Sequence, residues 1–224
     1  SLHVHERIDS KTIIDTLKKA GISEAVMAGK VSKSLLYKSK ITPDLRAVKL
    51  LFSLKDRKDD SILLAITEEL ANEGIKLLEI TKFSSKILMP EGILTKNKPS
   101  KEEWKDIEFG WKIAKEIGRL DIGQTVVIKN CAVMAVEAIE GTDEAIKRGC
   151  KLAGKGAVVI KVSKPEQDMR FDVPAVGLQT LNVIKEYGGS VLAVESGKSL
   201  ILSKEVVIKE AQRAGISIVG YTPY

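Results

Sequence analysis

The sequence predicts an α/β protein built from two α/β domains joined by a short linker. Three observations carry that expectation. Apolar runs of strand length alternate with amphipathic helical stretches, glycines stand where helices should stop, and a Ser/Pro/Gly-rich stretch divides the chain near residues 84–90. The expected N-terminal domain, residues 1–84, reads as Rossmann-like but incomplete, because it opens on a helix where a parallel α/β fold opens on a strand. The C-terminal domain, residues 85–224, reads as mixed α/β.

In chain order, Ile13, Ile14 and Leu17 give a helix over residues 10–19, closed by Gly21. Residues 24–28 form a short strand, and residues 44–54 a helix. Asp60 is a candidate N-cap for a helix over 61–72, and Gly74 ends it before a strand over 75–80. Ser100 and Glu103 have capping-box spacing ahead of an amphipathic helix from Trp104 to Ile117. Strands over 125–129 and 132–139 flank a hairpin turn expected at Lys129-Asn130. Thr142 or Asp143 caps a helix to about Cys150, and 157–162 is an apolar strand. A helix over 180–187 ends at Gly188-Gly189, strands over 190–195 and 199–202 flank a turn at Gly197-Lys198, and a helix over 204–214 precedes a last strand over 216–221.

Composition excludes several classes. The 224 residues are 44% hydrophobic and 29% charged, an ordinary globular mixture. The net charge of +6 is spread over both halves, and aromatics make up only 4%, so neither a basic arm nor a base-stacking platform is supplied and nucleic acid is not an expected partner. An anionic small molecule or an anionic membrane surface remains compatible. His3 and His5 are the only histidines, and Cys131 and Cys150 the only cysteines. A zinc knuckle, a disulfide scaffold and a His-dependent triad are excluded from the body of the chain, so a metal there must lean on oxygen ligands. No apolar run approaches the ~18 residues of a spanning helix, no signal peptide is visible, and a reducing cytosol is the simplest setting.

The most informative stretch is residues 164–177. Asp168, Arg170 and Asp172 alternate between Pro165 and Pro174, which favour an extended chain with the three charges on one face. Two carboxylates can hold a hard ion such as magnesium, and an arginine fork clamps phosphate. The plainer reading is a surface salt-bridge triplet. A second acidic pair, Glu137 and Glu140, leads into Gly141-Thr142-Asp143 at a strand-to-helix turn, where free amide protons attract phosphate. Spacing alone favours simple capping there, as it favours turn roles for Asp121 and Gln124.

Taken in series, these residues resemble the UDP-2,3-diacylglucosamine pyrophosphatase family of lipid A biosynthesis, the type unrelated to metallophosphoesterases. The matching motifs are Asp121-Ile122-Gly123-Gln124, Ala135 to Asp143, Lys161, and Lys164-Pro165 to Gly177. In the N-terminal half they are residues 27–31, Asp44-Leu45-Arg46, and Asp56-Arg57 with Asp59-Asp60.

The resemblance implies hydrolysis of UDP-2,3-diacylglucosamine at its pyrophosphate to UMP and 2,3-diacylglucosamine 1-phosphate (lipid X), with magnesium as cofactor and the lipid held between two domains. It places the essential acidic position on Asp168 of the Gln-Asp-x-Arg motif. Arg170 and Asp172 complete the catalytic set, and Asp168 and Asp172 are the metal candidates. Gln167, Thr142, Lys161, Gln124, Glu137 and Glu140 are the substrate-binding candidates. It further implies a cytoplasmic enzyme peripheral to the inner membrane, with homo-oligomerisation left open. Two alternatives stand beside it: a lipid X or UDP-sugar binding protein of the same fold without turnover, and a pyrophosphatase for another nucleoside diphosphate. Trp104, Phe109, Trp111 and the run Leu50 to Leu54 are core by default, with an acyl-lining role as the other reading.

Overall fold

The computed structural model describes residues 10–27, 59–83 and 85–223. The chain divides into two compact units, Ser1–Phe83 and Ser84–Tyr224. The helix expected over residues 44–54, the motif residues 28–31, 44–46 and 56–57, and the run 50–54 lie outside the described residues.

In the first unit, helix α1 (Ser10–Lys19) leads into strand β1 (Glu24–Val26), and helix α2 (Asp59–Asn72) into strand β2 (Lys76–Leu78). β1 and β2 pair in parallel, with Glu24 opposite Lys76 and Val26 opposite Leu78. Both helices end in the same way. Gly21 and Gly74 adopt φ of 67° and 79°, and the amides of Ile22 and Ile75 reach back to the carbonyls of Leu17 and Leu70. α2 starts at Asp59, so Asp60 lies within the helix rather than ahead of it. β2 is shorter than the expected strand because the chain tightens into a 3₁₀ turn at Ile80–Lys82.

The second unit is built on a six-stranded mixed sheet. Its strands are β3 (Gly92–Ile93), β4 (Thr125–Lys129), β5 (Ala132–Val136), β6 (Ala157–Lys161), β8 (Gly189–Glu195) and β10 (Ser217–Tyr221), in the order β3-β10-β8-β6-β4-β5. β6, β8 and β10 run parallel, and β4 runs against β6. β7 (Ala175–Val176) and β9 (Leu200–Ile201) form a separate parallel pair. Every residue of β6 is buried, as befits a central strand covered on both faces.

Helix α3 (Lys101–Arg119) covers one face. Ile107, Trp111 and Ala114 pack there with Val126, Ile128, Val158, Ile160, Val191 and Ala193. The other face belongs to helices α4 (Thr142–Ala153), α5 (Leu178–Tyr187) and α6 (Lys204–Ala214), where Ile146, Leu181, Ile184 and Val207 meet Val127, Val159, Leu192 and Ile218. Close approach needs glycine: a Cβ on Gly149 of α4 would stand 2.5 Å from the Cβ of Val127.

The Ser100 capping box is present: Glu103 N–H donates to the Ser100 hydroxyl, and Ser100 N–H to the Glu103 carboxylate. The hairpin turn sits one residue later than expected, at Asn130-Cys131, with φ of 51° and 55°. The buried carboxylate of Asp106 on α3 accepts both of their N–H groups, at 3.1 and 2.6 Å, and this tether holds a cysteine in a conformation that favours glycine or asparagine. Trp111 is buried and meets Tyr221 edge-on at 5.0 Å, which is a core role.

Candidate active site

In open α/β sheets ligands bind beyond the carboxyl ends of the parallel strands. Here β6 ends at Lys161 and β8 at Glu195. The opposite direction of β4 brings Gln124 to the same end, and β5 delivers Glu137 there. Topology therefore gathers residues that lie far apart in the chain.

The first group is a relay of hydrogen bonds. Lys161 Nζ donates to Thr142 Oγ1 at 2.8 Å, and Thr142 Oγ1 donates to Glu137 Oε1 at 2.8 Å. Glu137 Oε2 accepts from the Gln124 N–H at 3.3 Å. Gln124 also accepts from Val162 N–H through its carbonyl, so its backbone stitches the group to the end of β6. Thr142 is not the N-cap of α4, as the sequence suggested. Gly141, which has no side chain to cap with, holds that position at φ 85°, and the Thr142 hydroxyl is committed to Glu137 and Lys161. The first amides of α4 have no partner within the helix, and the helix begins beside Lys161.

Glu140 lies outside the relay. Its carboxylate accepts from Arg148 at 2.8 Å and from the Ala138 N–H at 3.2 Å, on an exposed loop. Partial burial pushes its carboxyl up, but hydrogen bonds from its own backbone and from Arg148 outweigh this and hold it below the usual carboxylate range. Asp143 instead accepts from Gln179 on α5.

The second group follows β6 directly. Residues 164–173 do not form the extended strand expected from the two prolines. Gln167 N–H donates to Lys164 O, and Phe171 N–H to Asp168 O, so the segment folds into successive turns. The cause is local: Asp168 Oδ1 accepts the N–H of Arg170 two residues on, an Asx-type turn that competes with the strand. The guanidinium of Arg170 then reaches the same carboxylate, Nε at 3.0 and 3.1 Å and a terminal nitrogen at 2.6 Å. Hydrogen bonding from Arg170 is the main cause that holds the Asp168 carboxyl below its ordinary value, against a smaller rise from burial. Asp172 comes after a buried Phe171, at φ 51° and exposed, so the three charges do not line one face of a strand. Gln167 donates to Phe171 O, and its buried Oε1 has no hydrogen-bond partner.

A magnesium ion does not fit Asp168 as the pair stands. A carboxylate offers about four lone-pair sites, and the four hydrogen bonds from Arg170 occupy them. Among the described residues, no group of three or more His, Cys, Asp or Glu could hold a metal ion.

Sequence reasoning passed over Lys115 and Glu195. Glu195 is buried at the end of an apolar strand, and Lys115 sits in mid-helix. Their Nζ–Oε2 separation is 3.0 Å. The only signal in the sequence was a carboxylate closing the run Val191-Leu192-Ala193-Val194.

Fold and site together define a two-unit α/β protein whose second unit carries lysine, arginine and carboxylate side chains at the carboxyl edge of its parallel strands. Residues 5–87 match the LpxI N-terminal domain and residues 90–219 the LpxI C-terminal domain. The chain is also 33% identical over 222 residues to UDP-2,3-diacylglucosamine pyrophosphatase LpxI of Caulobacter vibrioides, covering 94% of this chain and 79% of that protein. The chain belongs to the LpxI family.

Proposed function

We propose that this chain hydrolyses the pyrophosphate of UDP-2,3-diacylglucosamine, as the name of its Caulobacter relative states for that protein. The observation that carries the reading is the likeness over 94% of the chain, which takes in both family domains in order. Water adds to one phosphorus, the bridging oxygen leaves with the other, and UMP and lipid X result. Two adjacent anions repel an incoming nucleophile, so the task is charge neutralisation and in-line placement more than covalent chemistry.

The residues supply that chemistry. Lys161 and the first turn of α4 offer a cation and free amide protons to one phosphate, with Thr142 and Glu137 holding the lysine in place. Arg170 offers its fork to a non-bridging oxygen. Asp168 aims that fork, and by its charge orients the attacking water once substrate draws the guanidinium away. Gln167 brings a buried amide oxygen with bonding capacity to spare. Gln124 and Glu140 contribute by fixing backbone: Gln124 joins the relay through its main chain, and Glu140 pins its own loop. Asp172 is proposed as the second acidic group of the segment.

No step here runs through a metal. The magnesium requirement is proposed only as an ion that reaches the site on the substrate's own phosphates. No helix among the described residues is long and apolar enough to cross a membrane. With a diacylated substrate and a net charge of +6, we propose peripheral attachment to the cytoplasmic face of the inner membrane.

The test is direct: incubate the full chain with UDP-2,3-diacylglucosamine and Mg²⁺ and follow UMP by mass spectrometry. Release of UMP and lipid X supports the reading. Lipid X binding without UMP makes the chain a carrier, and equal turnover of UDP-glucose makes it a different pyrophosphatase.

A further inference from the structure

We infer that Asp121, Lys115 and Glu195 are positioning residues that clamp the chain segment delivering the Asp168–Arg170 pair. The consequence for catalysis rests on the hydrolase reading above, but the geometry of the clamp does not.

The clamp closes on Ser163, which is fully buried two residues past the end of β6. Its N–H donates to Glu195 Oε2 at 2.8 Å, and its carbonyl accepts from Lys115 Nζ at 2.8 Å. Lys115 also donates to both carboxylate oxygens of Glu195, at 3.1 and 3.0 Å. Both polar groups of one backbone residue are thus held by two side chains that are paired with each other. A buried carboxylate and a half-buried ammonium are an expensive way to hold a loop when apolar packing would serve. What they add is directional precision.

The next residue is held too. Lys164 Nζ lies 2.6 Å from Asp121 Oδ1. Asp121 follows Leu120, the C-cap of α3, and stands at φ 56°, where Asp121 N–H reaches Gly118 O and Ile122 N–H reaches Ile117 O. α1, α2 and α6 end with the same pair of bonds, and there the equivalent residues are Gly21, Gly74 and Gly215. Glycine adopts this conformation without strain. At α3 alone of these four, an aspartate stands in the glycine position, and its carboxylate spans to the loop. A Cβ on Gly118 would lie 3.5 Å from Lys164 Cα, so the end of α3 already rests against this stretch.

From Lys164 the chain has little freedom before the pair. Gln167 N–H closes a turn on Lys164 O at 3.1 Å, and Asp168 opens the next. The far end is anchored by buried Phe171 and by Leu200 N–H on Pro174 O at 2.7 Å. Releasing the near end shifts Asp168 and Arg170 against a substrate held by other groups, and a displacement of about 1 Å costs about 10²-fold in rate.

Asp121→Gly is the discriminating variant. It relieves the backbone conformation but takes one partner from the buried Lys164, two effects that oppose each other in the thermal midpoint. The kcat should therefore fall about 10-fold or more, beyond any loss the midpoint accounts for, while KM stays within about threefold. Glu195→Gln should lower kcat further, by about 10²-fold, and Lys115→Arg, which keeps the charge, should retain more activity than Lys115→Met. Hydrogen exchange should quicken over residues 164–172 in Asp121→Gly and Glu195→Gln, with β6 and β8 unchanged. Normal kcat in both variants, or losses that merely track the thermal midpoint, overturn the clamp. If the wild-type chain releases no UMP, the hydrolase reading fails, while exchange over 164–172 still decides the clamp: unaltered exchange in both variants overturns it.

Discussion

The ammonium of Lys161, at the end of the central strand, donates to the hydroxyl of Thr142, the first residue of α4, at 2.8 Å. This one bond brings a cation to the positive end of a helix, an arrangement that only an anion between them or a carboxylate behind them makes comfortable. Glu137 is the carboxylate behind, through the same hydroxyl. Thr142→Val removes the hydroxyl, leaves Lys161 without that acceptor and Glu137 without that donor, and keeps the volume. We expect kcat/KM to fall about 10- to 100-fold, in line with ~1–3 kcal/mol for each buried polar group deprived of its partner. Thr142→Ser should recover most of it. Steady-state kinetics beside a thermal melt check both.

Asp168→Ala should abolish hydrolysis or nearly so, with the fold and substrate binding retained. Acyl burial at ~0.8 kcal/mol per CH₂ supplies most of the affinity, whereas placing of the reacting groups is worth ~10²-fold or more. Arg170→Lys keeps the charge and loses the fork, so it should be impaired as well. UMP release and lipid X binding, measured on the same preparations, separate the two effects. Normal turnover in Asp168→Ala would reduce the pair to a surface ion pair.

The acid side of the stability profile carries the same pair. The Asp168 carboxyl is depressed below its ordinary value of 3.8, chiefly by hydrogen bonding from Arg170. A depressed carboxyl contributes stability that is present above its unfolded pKa and is lost as pH falls through the folded value. Nothing should change between pH 5 and 8 on this account, and the loss should come below pH ~4. Arg170→Met should move the acid unfolding midpoint of the wild type upward by a small amount, because the pair is part exposed and solvent-screened. Denaturation followed by circular dichroism from pH 2 to 7 reads it.

Gly123 keeps the two loops of the relay in contact. A Cβ there would stand 2.2 Å from the carbonyl oxygen of Glu137, a backbone atom that cannot swing aside. Gly123→Ala should destabilise by ~1–3 kcal/mol and lower kcat, since Glu137 and Thr142 move together. If the melt and the rate are both unchanged, the loops are not as tightly joined as this contact requires.

Chelation tests the magnesium proposal. EDTA should stop UMP release and added Mg²⁺ should restore it, while the melting curve without substrate stays the same in both. A melting shift with EDTA alone would mean that a resident ion holds the protein together, contrary to the filled carboxylate of Asp168.

Much of the fold was legible because its signals are local. The Ser100–Glu103 box, the glycines past α1, α2 and α6, and the unbroken apolar run of β6 are each decided within a few residues by capping, backbone conformation and burial. The ordered motifs were enough to place the chain in its family. The site was legible only as a set of residue types. Asp168 and Arg170 share a turn rather than a strand face because a side chain captured a backbone N–H two residues on, a competition that alternation of charges does not reveal. Thr142 looked like a cap until the fold brought Lys161 to it, 19 residues away in the chain. Lys115 and Glu195, separated by 80 residues, become partners only because α3 packs on β4 and β6, and β8 ends next to β6. Sequence by itself determined most of the helices and strands among the described residues, with 164–173 the exception, since those choices depend mainly on neighbours along the chain. Tertiary structure decided which charges meet, since that depends on strand order and helix placement, and a buried charge is stable only where the fold supplies its partner.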